Sequence, residues 1–183
     1  MVAQEADAQL QQLGLGFVKL HVLERRIELL RSIDFHGSKT VSATGLQGAS
    51  LEDPVAVHQV CNETAVAIHV CNKVLETHDF KTFGLLVAGH TSGKWFKGDK
   101  SDNVDVTNTP GYEISVNRAK AICDTLNEEI SKVSATYQLQ GEVQVESKGY
   151  GCTQPMKGFD DGVNHGENRR VEIHLLFNED KNE

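Results

Sequence analysis

The chain has 183 residues, 39% of them hydrophobic and 24% charged, with a formal net charge of −8. That length suits one domain with a sizeable core, and the acidic balance excludes the clustered lysine and arginine of a nucleic-acid surface. No window approaches the roughly 20 consecutive apolar residues that span a bilayer, and the opening MVAQEADAQLQQLG lacks the basic and apolar regions of a secretory signal.

Taken in chain order, Leu10, Leu13, Phe17, Leu20 and Leu23 recur at steps of three and four. They predict a helix from about Ala8 to Leu23, weakened at Gly14 and Gly16. From Arg26 the period becomes two: Ile27, Leu29, Ile33 and Phe35 predict a strand with one buried face. Residues 36–53 are small, polar and glycine-rich, the composition of a loop. Asp53-Pro54 supplies a cap and a first-turn proline. Behind it Val57, Cys61, Thr64, Ile68, Cys71 and Leu75 form the clearest helical stripe, running to about His78. Cys61 and Cys71 fall on that stripe as small buried hydrophobes.

Phe83 to Ala88 is a continuous apolar run, as expected of a central strand covered on both faces. A long loop follows over 90–109, interleaving Lys94, Lys97 and Lys100 with Asp99, Asp102 and Asp105. Thr109-Pro110 repeats the cap signal before a second helix carrying Ser115, Ala119, Ile122, Leu126 and Ile130 on one face. Glu142 to Lys148 alternates as a strand, 149–167 is turn-rich, and Val171, Ile173, Leu175 and Phe177 mark a last strand. The order is helix, β-α-β-α-β-β: an α+β domain with one mixed sheet. Its long crossover connections imply some parallel pairing.

Sequence signatures of hydrolases, metalloproteases, phosphate-binding loops and dinucleotide sites are absent. Nothing calls for a cofactor. Of the eight histidines, His58, His69 and His78 are too far apart along one helix to share a metal ion. The four cysteines (Cys61, Cys71, Cys123 and Cys152) are scattered and read as free thiols of a cytoplasmic or other reducing compartment. A leader lost ahead of Met1 would place the chain in the periplasm or cell envelope instead.

Three places suggest a binding site. GHTS leaves the central strand at Gly89–Ser92, Ser115 and Arg118 share a face at the start of the second helix, and NRR opens the last strand at Asn168–Arg170. Helix N-termini and arginine forks attract anions, and arginine grips a carboxylate with two parallel bonds. A carboxylate-accepting site at the strand end is one reading. Pairing of Arg118 with an internal acid, Glu113 or Asp124, is the other.

In this order VAGHT, ISVNRAKAICDTL, KGYG and NRRVEIHL resemble the OmpA/MotB C-terminal domain family over about residues 26–177. The resemblance divides the chain into an N-terminal helical extension (1–25), an OmpA-like domain (26–178) and an acidic tail (179–183). It implies a β-α-β-α-β-β sheet with helices on one face, and non-enzymatic, non-covalent binding of peptidoglycan through the diaminopimelate of its stem peptide. An aspartate after GHT takes the ammonium group in that family, and a helix arginine takes the carboxylate.

Arg118 matches that arginine, and His90, Thr91, Asn168 and Arg169 match motif positions, with Ser115 beside them. Ser92 stands in place of the aspartate, Gly111 in place of an asparagine, and the stretch Lys94–Thr107 is longer than the family pattern. Loss of the carboxylate leaves the ligand's ammonium unpaired, at a cost of about 2–5 kcal/mol in a desolvated site. Asp99, Asp102 or Asp105 is a candidate to replace it. The expected ligand is a peptidoglycan-like peptide or another carboxylate, bound weakly or not at all at a wall. The alternative is an interaction or scaffold module that binds a protein partner or pairs with itself through the N-terminal helix.

Overall fold

The structure of the chain, a computed structural model, describes residues 2–33, 35, 53–92, 106–109, 111–137, 142–158 and 165–177. The charged stretch with Asp99, Asp102 and Asp105 lies outside the described residues, as do the tail and most of the 36–53 loop. Helix α1 is Val2–Gln12, α2 is Pro54–Thr77 and α3 is Tyr112–Tyr137; the strands are β1 Val18–His21, β2 Arg26–Leu29, β3 Phe83–Gly89, β4 Val145–Gly149 and β5 Val171–Phe177. They form one sheet in the order β1-β2-β5-β3-β4. Only β3 and β4 run parallel; the other neighbours are antiparallel. The expected α+β order and mixed sheet are both present.

Helix α2 starts as the sequence predicts: the Asp53 carboxylate accepts from the Ala56 N–H at 3.0 Å, with proline at the first position. Its stripe of Val57, Val60, Cys61, Ile68 and Cys71 is buried against α3 and the sheet. Alternation along β3 and β5 sends Leu85, Val87, Ile173 and Leu175 into this core, whereas Leu86 and His174 pair on the opposite face. The Asn72 side chain brackets the start of β3, donating to the Phe83 carbonyl and accepting from the Phe83 N–H, each at 2.8 Å.

The helix expected over Ala8–Leu23 requires correction. It ends at Gln12, and Val18–His21 pairs with Arg26–Leu29 as a hairpin. Gly14 lies at φ +62, a left-handed conformation that stops a helix. Val18, Leu20 and Val22 then point inward at spacing two, and Leu23 is 76% exposed near the hairpin turn. The carboxylate of Glu63 on α2 accepts from three consecutive N–H groups, Gly16 at 3.1 Å, Phe17 at 2.6 Å and Val18 at 3.2 Å, and so fixes the bend between α1 and β1.

The strand expected from Arg26 to Phe35 is shorter, ending at Leu29. Ile33 and Phe35 are nonetheless buried, at 1% exposure each. The alternation of apolar residues there reports burial beyond the end of the regular strand.

Candidate functional site

Strands β3 and β4 end side by side under the first turns of α3, and glycine makes that approach possible. A Cβ at Gly89 would stand 2.1 Å from the Ser115 carbonyl oxygen, and one at Gly149 would stand 2.5 Å from the Ser115 hydroxyl. Ser115, fully buried, donates to the Tyr112 carbonyl at 2.6 Å and accepts from the Gly151 N–H at 2.9 Å. It therefore joins the helix start to the turn after β4. The sequence expectation placed Ser115 in ligand contact; its hydroxyl is engaged on both sides.

Beyond Gly89 the backbone remains tied. The His90 N–H donates to the Arg170 carbonyl and the Thr91 N–H to the Gly151 carbonyl, both at 2.9 Å. This links the GHT segment to the start of β5 and to the glycine turn, so three distant motifs meet at one sheet end. Gly111 sits at φ +76 against the Thr91 hydroxyl. An added Cβ would stand 2.6 Å from that hydroxyl, so glycine suits both the backbone and the space there.

The Arg118 guanidinium reaches back from α3 and donates from Nη1 to the His90 carbonyl at 3.1 Å. It is 1% exposed, and its central carbon lies 4.7 Å from the centre of the Phe35 ring. Burial, with the nearby Arg169 guanidinium, lowers its pKa to about 10, which leaves it charged at neutral pH. Asp124, one of the acids considered for it from sequence, is bonded by Lys120 at 2.7 and 2.9 Å. Arg169 donates from Nε to the Phe35 carbonyl at 3.3 Å, so both guanidinium groups address the same short segment.

The remaining motif residues serve the surrounding backbone. The Ser92 hydroxyl accepts from the His165 N–H at 2.8 Å, and the buried Asn168 accepts from the Met156 N–H at 2.8 Å. His90 is 1% exposed and stacks on Tyr150 with ring centres 5.4 Å apart. Burial, with Arg170 beside it, holds the imidazole down to about 4, so it is neutral at pH 7. Its Nε2 lies 3.8 Å from Glu172, whose carboxyl is drawn down to about 2 by the hydrogen bond from His174 and by Arg170.

A groove of about 820 Å³ opens beside this cluster, between β2 and β5, with Ile33, Phe35 and Met156 among its apolar residues. Arg169 and Arg170 bring positive charge to it, and Glu167 and Glu172 negative charge. Sequence reasoning singled out Arg118 and Arg169 but not Phe35 or Tyr150, the two rings that cover the site. The only available signal was Phe35 closing an alternating run, which reads as core.

Elsewhere the histidines considered for a metal are separately engaged: His58 with Glu129 at 3.7 Å, His69 with Ser134 at 2.9 Å, His78 with Glu5 at 3.0 Å. Among the described residues no group of three or more metal-ligating side chains gathers. Burial pushes the thiols of Cys61 and Cys71 up to about 12 and raises those of Cys123 and Cys152, so none is a thiolate at neutral pH. All four cysteines are free. Among the described residues no helix is long and apolar enough to cross a membrane.

No protein-family model matches the chain, and no curated protein matches it. The chain is similar to solved OmpA-like domains. The periplasmic domain of Helicobacter pylori MotB shares 17% identity over 85% of this chain and 75% of that one, with a TM-score of 0.45. The peptidoglycan-associated lipoprotein from Burkholderia pseudomallei shares 17% identity over 80% of this chain and 90% of that one, with a TM-score of 0.42. The OmpA-like domain of FopA1 from Francisella tularensis shares 16% identity over 84% of this chain and 76% of that one, with a TM-score of 0.41.

Proposed function

We propose that this chain is a non-enzymatic binding domain for a ligand carrying a carboxylate and an ammonium group, of the kind found in a peptidoglycan stem peptide. One observation carries the reading: Arg118 and Arg169 converge at the end of β3, beside a groove lined by Arg169, Arg170, Glu167 and Glu172. A guanidinium fork recognises a carboxylate, and the glutamates suit an ammonium group. The ligand-contacting set is Arg118 and Arg169, while His90, Thr91, Ser115 and Asn168 shape the frame around them.

Ser92 is neutral where a carboxylate would grip the ammonium, which weakens wall binding. A wall ligand places the domain in the cell envelope; a free carboxylate ligand is compatible with a reducing compartment.

Sedimentation with insoluble peptidoglycan and calorimetry with meso-diaminopimelate test the reading on wild type, Arg169→Ala and Ser92→Asp. Expected is weak wild-type binding, loss in Arg169→Ala, and a gain of at least about tenfold in Ser92→Asp, since charge pairing in a desolvated site is worth more than 1.4 kcal/mol. Ser92→Asp keeps an acceptor for the His165 N–H, so the frame survives the change.

A second reading is an interaction module without a wall ligand. It is favoured by the engagement of Ser92 with His165 and by the Phe35 ring over Arg118. Failure of all three proteins to bind either probe selects it.

A further inference from the structure

The residue over Arg118 comes from the opposite end of the chain. Phe35 lies beyond the last regular residue of β2, Leu29, and is still only 1% exposed. Its ring faces the Arg118 guanidinium at 4.7 Å, and its carbonyl accepts from Arg169 at 3.3 Å. One residue thus occupies both arginines that the site offers to an anion, the first through the ring and the second through the backbone.

We infer that Phe35 is the access-determining residue of this site, its ring acting as an intramolecular cover that a carboxylate ligand must displace from Arg118. The inference rests on the ligand reading above for its purpose, but not for its physical basis. A guanidinium binds a carboxylate through its N–H edge in the plane of the group. Arg118 already directs one of those N–H groups to the His90 carbonyl, and with the ring on its face it is 1% exposed.

Phe35 is a suitable cover. An aromatic ring on a guanidinium is attractive in itself, and the ring adds the burial of a large apolar surface. The backbone here is held by less than a continuous ladder: Phe35 lies in an isolated bridge, and β2 pairs with β5 only at Arg26–His174 among the described residues. Because Arg169 holds the carbonyl of the same residue, displacing Phe35 removes a contact from each cation at once. Apparent ligand affinity is then reduced by the fraction of molecules in which Phe35 is displaced. Removing the ring restores it.

The test reads Arg118 directly, without a ligand. Wild type, Phe35→Leu and Phe35→Ala are treated with phenylglyoxal, an arginine-directed reagent, and modification at each arginine is followed by peptide mass spectrometry. Arg31, whose side chain is 57% exposed, serves as the accessible reference, and the fully buried thiol of Cys61 reports whether the variant stays folded.

Expected is slow modification of Arg118 in wild type and a rise of about tenfold or more in Phe35→Ala, with Phe35→Leu between them and Cys61 protected throughout. If Phe35→Ala unfolds and exposes Cys61, Phe35→Leu decides. Modification of wild-type Arg118 as fast as Arg31, or an unchanged rate in a folded variant, overturns the inference.

Peptidoglycan sedimentation of the same variants separates it from the ligand reading. Faster modification without any sedimentation keeps the cover and removes the wall ligand. Sedimentation of wild type with an unchanged rate at Arg118 keeps the ligand and removes the cover.

Discussion

Strand β5 has two unlike edges. Against β3 it keeps register over seven residue pairs, from Phe83–Phe177 to Gly89–Val171. Against β2 a single pair, Arg26–His174, is recorded among the described residues. The first edge is held by a backbone ladder, with α3 lying so close to the strand ends that glycine is needed beneath it. The second has an isolated bridge at Phe35 and the Arg169 bond to its carbonyl, while Glu63 on α2 fixes the bend before β1 and Arg31 pairs with Asp53 beyond β2. A ladder and close packing leave no room for an added atom. Side-chain anchors permit movement, and the groove and the ring over Arg118 are on the anchored side.

The sharpest way to break this comparison is Gly89→Val. A Cβ there would meet the Ser115 carbonyl at 2.1 Å, so the helix or the strand end must shift. The expected loss is more than about 3 kcal/mol, read as a lower urea midpoint. A stability within about 0.5 kcal/mol of wild type would show that the β3–α3 contact yields.

His90 gives the next largest effect. Its folded-state pKa is depressed from 6.5 to about 4, so the unfolded chain takes up a proton that the folded chain refuses. Stability therefore falls as pH drops from about 6.5 to about 4, by on the order of 3 kcal/mol. Glu172 has its own, lower window: its contribution is present above 4.5 and is lost as pH falls toward about 2. His90→Phe keeps a ring on Tyr150 and removes its titration, so stability is expected to fall less steeply across the upper window, with His69, also depressed by burial, accounting for part of what remains. An unchanged slope would assign the acid sensitivity elsewhere.

On the anchored side, Glu63→Ala removes the acceptor of three N–H groups and is expected to cost about 2 kcal/mol. The same variant tests the boundary expected at Arg26. If residues 1–25 are an extension, limited proteolysis cuts between α1 and β2 and leaves the remainder folded; global unfolding would make them integral. The smallest effect is expected at Arg31→Ala. Its ion pair with Asp53 at 2.9 Å joins side chains 57% and 46% exposed, and removing it should cost less than about 0.5 kcal/mol in a thermal melt.

Much of the fold was legible because it rests on local periodicity. The Asp53-Pro54 cap, the α2 stripe and the Phe83–Ala88 strand are where the sequence predicts them. The N-terminus was misread because Leu20 fits both a helical and a strand stripe, and Gly14 alone does not reveal which wins. At the site, the meeting of GHT, Arg118 and NRR was legible from motif order. The engagement of Ser115 and Ser92 by backbone N–H groups was not, because those partners, Gly151 and His165, lie 36 and 73 residues away.

By itself the sequence determined the order of elements, the buried stripes and the set of polar residues that gather at one sheet end, since each follows from spacing and residue type along the chain. Only the tertiary structure decided that Val18–His21 is a strand, that Gly111 takes a left-handed turn against Thr91, and that Phe35 covers Arg118. Each depends on which surface the chain meets far from its own neighbours, and periodicity records that a side chain is buried without recording against what.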